Sequence, residues 1–448
     1  MDERTDNSER RFTVTNKMVL RIAVPMTLAY LTTPLIGIAD TAIVGQLGDA
    51  ALLGGLAAGA IVFDVVFATF NFLRSGTTGL VSQAYGSRDR AEEQAIFWRA
   101  LILALLIGTA LILLGPLIAA LGAWFIAGEP RVTEALQTYV LIRLWCAPLA
   151  LGNYAILGYV LGRGEGGVGL ALQFAINLTN IALSLWLGLW LGWGLEGVAW
   201  GTVMGEAIGF AIGIAVLTTR FGRRGPMRPG ALRDMARLKA MLTLNRDIMI
   251  RSFALLAAFA LLARQGAQLG TVTLAANAVL MNFFLVASYF LDGFATAAEQ
   301  LAGRAVGARW RPAFDRAVRL TAIWGFALAG VMTLLVLVFG DHLIALVTTA
   351  AEVRDVAATY LPWAALTAVT AVLAFQMDGV FIGATWSRDM RNMMLLSLTL
   401  YVAALWTLGP LFGNHGLWAA LHVFLLARGL SLLAVLPLRA RQTFAQTA

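Results

Sequence analysis

The chain has 448 residues, 59% of them hydrophobic and 13% charged, with a mean hydropathy of +0.78. Soluble domains carry about 25% charged residues, so the composition excludes an ordinary soluble globular protein and points to a bilayer. The formal net charge of +8 would suit nucleic acid, but the cations are confined to alternate loops, and that placement excludes a nucleic-acid partner.

Apolar runs of about twenty residues recur from end to end, each long enough to cross a bilayer as a helix. Twelve spans are predicted, at 18–44, 52–82, 95–122, 136–160, 166–192, 194–218, 247–267, 274–301, 317–340, 356–382, 392–413 and 416–437. The first is too long for the core of a cleavable signal peptide, and no gap leaves room for a soluble domain. Cys146, the single cysteine, lies in the fourth span, so no intramolecular disulfide is possible and it reads as a small packing residue.

The cations set the orientation. Arg4, Arg10, Arg11 and Lys17 precede the first span. Arg88, Arg90 and Arg99 follow the second, Arg163 the fourth, and Arg220, Arg223, Arg224, Arg228, Arg233, Arg237, Lys239 and Arg246 the sixth. Arg304, Arg309, Arg311 and Arg316 follow the eighth, Arg388 and Arg391 the tenth, and Arg439 and Arg441 the twelfth. The loops between hold only Arg131 and Arg354. Basic loops face the cytoplasm, which places both termini there.

The two halves repeat. QLGDAALLGGLAAGA (46–60) matches QLGTVTLAANAVLMN (268–282) at an offset of 222, Gly158 and Gly162 match Gly379 and Gly383 at 221, and Gly86 matches Gly307 at 221. An offset of six helices makes the repeats parallel, related by an axis along the membrane normal. The predicted organisation is a cytoplasmic segment 1–17, an N-terminal lobe 18–218, a cytoplasmic linker 219–246, a C-terminal lobe 247–438 and a cytoplasmic tail 439–448. Within the linker, ALRDMARLKAML is amphipathic and is expected to lie along the membrane surface. The fold class is therefore an all-α integral membrane protein of twelve transmembrane helices in two pseudo-symmetric six-helix bundles, the usual build of a secondary transporter. No GxxxxGK[ST] phosphate loop occurs, so ATP is not the direct energy source. His342, His415 and His422 have neither HExxH spacing nor cysteine partners, so no metal site, cofactor or enzymatic centre is expected.

Asp40 is the main candidate. It stands more than twenty residues into the first span, where a carboxylate costs about 3 kcal/mol and normally faces a cavity or a partner. It shares a helix face with Gly37, Ile36 and Thr33, on a helix that Pro25 and Pro34 interrupt and are expected to bend. Exclusion of water favours the neutral acid, so a proton can be taken up and released there. A buried structural hydrogen-bonder, or an acid snorkelling to the outer surface, is the competing reading. Asn177, Asn180 and Ser184 form one polar stripe on the fifth span, which Thr202 and Asn153 can join. They serve the acid or act as interhelical hydrogen-bond glue. Phe63, Phe67 and Phe70 line one face of the second span, suited to a flat lipophilic cation or to packing. Asp64 lies on another face. Arg74, Arg143, Glu206, Arg251 and Arg264 are assigned to ion pairing or snorkelling. Asp292, Glu299 and Asp378 are candidates for a gating network in the C-terminal lobe. Arg428 requires a partner that the sequence does not disclose.

The strings DTAIVGQLGDAALLGGLAAG, FLRSGTTGLVSQAYGSRDRAEE, INLTNIALS and FLDGFATAAEQLAGRAVGAR resemble, in that order, the multidrug and toxic compound extrusion (MATE) family, and within it the DinF branch. The resemblance covers about 17–440. It implies two six-helix lobes around a V-shaped cleft and export of organic cations against a proton or sodium gradient. It places the family's first-helix aspartate on Asp40, its proline bend on Pro25, its fifth-helix asparagines on Asn177 and Asn180, and its sixth-helix threonine on Thr202. Ser184 departs from the pattern, where some relatives have aspartate. A hard cation prefers charged oxygens, so a site with one carboxylate favours proton over sodium coupling. The expected mechanism is rocking-bundle antiport. Ionised Asp40 holds a lipophilic cation from the cytoplasm, and its protonation on the outer side bends the first helix near Pro25 and releases the cargo. Small-molecule cations and membrane lipids are the expected partners, in a monomer of the bacterial inner membrane. A lipid-linked precursor flippase and a sodium-coupled drug antiporter are the alternatives. The first would want a strongly cationic central cavity, which the cleft helices do not supply. The QAYGSRDRAEEQ loop speaks against a major-facilitator porter, and His422 alone makes no membrane-embedded acyltransferase.

Overall fold

The computed structural model describes residues 11–221 and 230–445. Arg4, Arg10, Arg223, Arg224, Gly225, Pro226, Arg228 and Pro229 lie outside the described residues, and among those described no strand occurs. The helices are α1 (Asn16–Gly45), α2 (Ala50–Phe70), α3 (Phe72–Gly86), α4 (Arg90–Leu113), α5 (Gly115–Ile126), α6 (Pro130–Arg143), α7 (Ala147–Gly162) and α8 (Gly166–Leu185). They continue with α9 (Gly194–Phe221), α10 (Met235–Gln268), α11 (Thr271–Gly307), α12 (Arg311–Val347), α13 (Ala351–Gly383), α14 (Ser387–Phe412) and α15 (Asn414–Ala445).

With α2–α3 and α6–α7 counted as continuous rods, 11 of these are long and apolar enough to cross a membrane. The predicted span 247–267 lies within α10, outside those 11, and carries Arg251 and Arg264 in its apolar run. Several predicted spans are also less uniform than expected. Pro116 and Pro148 sit in the first turns of α5 and α7. Proline has no amide hydrogen to give a preceding turn, so 95–122 and 136–160 are each broken. Pro25 and Pro34, by contrast, lie inside one continuous α1.

The amphipathic linker stretch is not a separate surface helix. After a 3-10 turn at Ala231–Arg233, Asp234 accepts from the amides of Ala236 and Arg237, both at 3.1 Å, and starts α10. A side-chain carboxylate that satisfies the first free amides is a strong helix start, and no further break intervenes before Gln268. The segment is tied back to α4, where Arg99 donates to the carbonyl of Ala231 at 3.1 Å and to Glu92 at 3.2 Å, and Arg237 pairs with Glu92. Glu165, between α7 and α8, belongs to a similar clasp. Burial alone would push its carboxyl up, but Arg220 and Arg163 outweigh that and hold it below the ordinary range.

The internal repeat is visible in the backbone. Gly48 and Gly270 both take left-handed conformations, at φ 73° and 104°, as do Gly164 and Thr385 at 75° and 57°, and Arg88 and Arg309 at 59° and 51°. A side chain rarely adopts this region, so the recurrence on arginine in both halves is structural rather than incidental. The helix crossings repeat too. A Cβ on Gly158 would lie 2.5 Å from the carbonyl oxygen of Arg74, and one on Gly379 would lie 2.2 Å from that of Ala295.

The chain divides into two compact units. The N-terminal unit is Leu28–Tyr85 with Asp89–Leu242; the C-terminal unit takes Thr243 onward, Gly86–Arg88 and the residues up to Thr27. This differs from the predicted lobe boundary at residue 18. The start of α1 belongs with the C-terminal unit because Gly293 leaves no room for a side chain beside Ala23 and Thr27. The preceding segment docks there as well. Arg316 donates to the carbonyl of Val14 at 2.6 Å, Trp324 to Asn16 at 3.1 Å, and the Arg304 guanidinium lies 4.0 Å from the ring centroid of Phe12.

Gly379→Ala is expected to lower stability by about 1–3 kcal/mol through overpacking, read as a lower thermal unfolding midpoint in detergent. Gly330→Ala, where nothing lies within 4 Å of the new atom, should stay within about 0.5 kcal/mol of the parent.

Candidate functional site

Asp40 lies near the end of α1, 4% exposed. Its Oδ1 has no hydrogen-bond partner among the described residues, while the hydroxyl of Ser184 and the positive charge of Arg143 face the carboxylate. The predicted face of α1 divides: Ile36 is half-buried, but Thr33 and Gly37 are exposed. Thr32, one position away, is the residue that enters the polar stripe, accepting from Asn177 Nδ2 at 2.7 Å.

Asn177, Asn180 and Ser184 are all buried on α8. They are held close to α9 by a glycine at every fourth position from Gly197 to Gly213. A Cβ on Gly201 would lie 2.6 Å from the Ser184 backbone nitrogen, and one on Gly205 would lie 3.0 Å from Asn180 Cα. Small residues at this period let two helices approach within the membrane, which brings the stripe to the interface. Ser184 Oγ donates to Asn180 Oδ1 and to the carbonyl of Val198, each at 3.4 Å. Thr202 turns back to that same carbonyl at 3.3 Å, on its own helix.

Asn153 does not join Asn177 directly. It donates to Glu206 Oε2 at 2.7 Å, beside a cavity of about 50 Å³ that Gln173 and Tyr154 also line. Gln173 donates to Asn177 Oδ1 at 3.0 Å, so the two groups meet through Gln173 and the cavity. Phe63 is buried, its ring centroid 5.6 Å from that of Phe67 and 6.2 Å from that of Tyr139. Phe67 packs against Cys146, Ala150 and Val203. Cys146 is buried in a 3-10 turn and unpaired, consistent with a packing role. Arg143, assigned from the sequence to ion pairing or snorkelling, stands among these groups. Its guanidinium lies 4.5 Å from the Phe63 centroid and donates to Tyr139 Oη at 2.7 Å.

In the C-terminal unit, Asp378 on α13 pairs with Arg251 from α10 and, at 2.7 Å, with Arg428 from α15. The partner that the sequence did not disclose for Arg428 is therefore Asp378, with the charge of Asp292 also acting on the arginine. Glu299 is buried further along α11. A second polar knot joins Asn277 and Asn414, which exchange hydrogen bonds of 2.7 and 3.0 Å, while Trp418 donates to Asn277 at 3.0 Å. Among the described residues no group of three or more histidine, cysteine or acidic side chains could hold a metal ion. Asp378→Asn leaves the buried guanidinium of Arg428 and the half-buried one of Arg251 without this partner and is expected to cost about 3–5 kcal/mol. Arg428→Met, which preserves the pair with Arg251, should cost less, and thermal unfolding in detergent ranks the two.

The MatE family model matches the chain twice, at 25–186 and at 248–407. The chain is 37% identical to the DNA damage-inducible protein F of Escherichia coli (strain K12) over 433 residues, 94% of this chain and 92% of that protein. It is 26% identical to the probable multidrug resistance protein NorM of Chromobacterium violaceum, covering 93% of this chain and 92% of that one. A solved structure described as "Crystal structure of MATE in the bent conformation" superposes with a TM-score of 0.87 at 18% identity, over 97% of this chain and 99% of the other. One family pattern found in each half, with a relative alignable over nearly the full length, makes this chain a member of the MatE family.

Proposed function

We propose that this protein is a secondary active exporter of lipophilic organic cations, working by antiport with protons as the coupling ion. The observation that carries the reading is Asp40. It is a buried carboxylate with one oxygen left without a hydrogen bond, on an apolar helix of a multi-pass membrane protein. Such a group attracts one monovalent cation when ionised and releases it when protonated. Exchange of cargo for a proton is then the chemistry it supports. The export of drugs is in keeping with the relative named as a probable multidrug resistance protein.

Proton coupling is supported by what stands beside the acid. Ser184 is buried and offers a hydroxyl, not a second carboxylate, so a sodium ion would meet one charged ligand and several neutral ones. The cycle places ionised Asp40 in contact with cytoplasmic cargo and protonated Asp40 on the outer side, where loss of the counter-charge weakens binding. Alternation of basic loops supports an orientation with both termini in the cytoplasm, in the inner membrane of a bacterium. The carrier acts as a monomer.

In proteoliposomes with an imposed pH gradient, Asp40→Asn is expected to reduce drug export by about a hundredfold, the effect of losing about 2.7 kcal/mol of ion pairing, with the folded yield unchanged. Export at the parental rate in that variant would overturn the assignment. Ser184→Asp is expected to gain sodium-stimulated export that the parent lacks, measured under separate sodium and proton gradients.

A further inference from the structure

Arg143 ends α6, immediately before the 3-10 turn Leu144–Cys146. Carboxylates approach its charge from three helices: Asp40 on α1, Asp64 on α2 and Glu206 on α9. An arginine so placed would ordinarily grip one of them through two parallel hydrogen bonds. It grips none. Its hydrogen bond goes to the neutral phenol of Tyr139, and its flat face rests on Phe63, with the Tyr139 ring centroid 5.5 Å away. Asp40 meanwhile keeps Oδ1 without a hydrogen bond, and Glu206 is held by the neutral amide of Asn153.

A guanidinium is planar, charge-delocalised, monovalent and weakly hydrated. Those are also the properties of a flat lipophilic cation. The ring of Phe63 offers cation–π attraction, Tyr139 a hydrogen-bond acceptor and Asp40 a counter-charge, which together make a seat for such a group. The seat is occupied by a side chain on soft, neutral contacts, at the point where a 3-10 turn interrupts the α6–α7 rod. We propose that Arg143 is a tethered stand-in for the cargo: its planar guanidinium fills the position beside Phe63, Tyr139 and Asp40 between loads and yields to a planar monocation.

This rests on the cation-export reading above and adds a selectivity device built from the chain's own side chain. With the stand-in in place, Asp40 is never a bare charge in an apolar wall, and cargo must outcompete an arginine to bind. Asp64 and Glu206 are the acids that receive the displaced guanidinium. A cation that is not flat cannot take its place on Phe63 and gains less from the site.

The test is equilibrium binding of ethidium, a planar monocation read by its own fluorescence, with tetraphenylphosphonium as the non-planar competitor, on the purified full-length chain. If the stand-in occupies the seat nine times in ten, its removal raises apparent affinity about tenfold. Arg143→Met is therefore expected to bind ethidium about tenfold more tightly than the parent, and unchanged or weaker binding overturns the proposal. Should that variant not purify as a monodisperse species, Arg143→Lys is read the same way. Lysine keeps the charge but lacks the flat face, so ethidium should bind several-fold more tightly, and no gain overturns the proposal. Phe63→Leu is expected to weaken ethidium while sparing tetraphenylphosphonium, and equal loss of both overturns the planar subsite. A parent that binds neither cation overturns the export reading itself, which separates the two failures.

Discussion

The guanidinium of Arg143 rests on the ring of Phe63 and the hydroxyl of Tyr139 while three carboxylates stand within reach of its charge. Neutrality in an apolar surrounding is the constraint behind this arrangement, since an isolated charge is driven to find a partner or a proton. Around Arg143 the N-terminal unit meets it loosely. The acids there are spread over three helices, that arginine binds none of them directly, and amides and hydroxyls fill the remaining bonds. A site of this kind can exchange one cation for another without first breaking a strong pair.

The C-terminal unit meets the same constraint tightly. Asp378 is clamped by Arg251 and Arg428, drawn from helices that lie far apart in the chain. Removal of Asp378 leaves two guanidinium groups without it, while removal of Arg428 leaves Asp378 paired with Arg251, so the carboxylate is the member on which the cluster depends. Two halves descended from one pattern have thus put their buried charges to different uses. The halves keep the same left-handed turns and the same glycine crossings, but Arg143 has no counterpart charge in the second half, where position 364 is alanine.

Much of the fold was legible because its determinants are local. Apolar runs mark the spans, basic loops alternate along the chain, and the repeated glycines announce the duplication. Asp40 stood out because a lone acid in an oily run needs no partner to be noticed. The pairs around it were not legible, since charge contacts such as Asp378 with Arg251 or Asn153 with Glu206 join residues that no local pattern relates. Thr32 was missed in favour of Thr33 because positions i−7 and i−8 flank Asp40 on the same broad helix face, and spacing alone does not say which of them meets a neighbour. Helix breaks at Pro116 and Pro148, with continuity at Pro25 and Pro34, show that a proline's effect depends on what packs around it as well as on its own geometry.

The crossings at Gly158 and Gly379 bring one helix against the carbonyl groups of another with no side chain between. Side chains are the cushion that lets packed helices slip past each other by changing rotamer, and a contact without one has no slack. Each unit is therefore stiff where these helices cross, and in the N-terminal unit deformation must be taken up elsewhere, as at the short 3-10 turn after Arg143 and the π-helical turn at Trp186–Trp190. Both joints adjoin the helices that carry the buried polar groups of the N-terminal unit, so flexure there would be felt first among those groups.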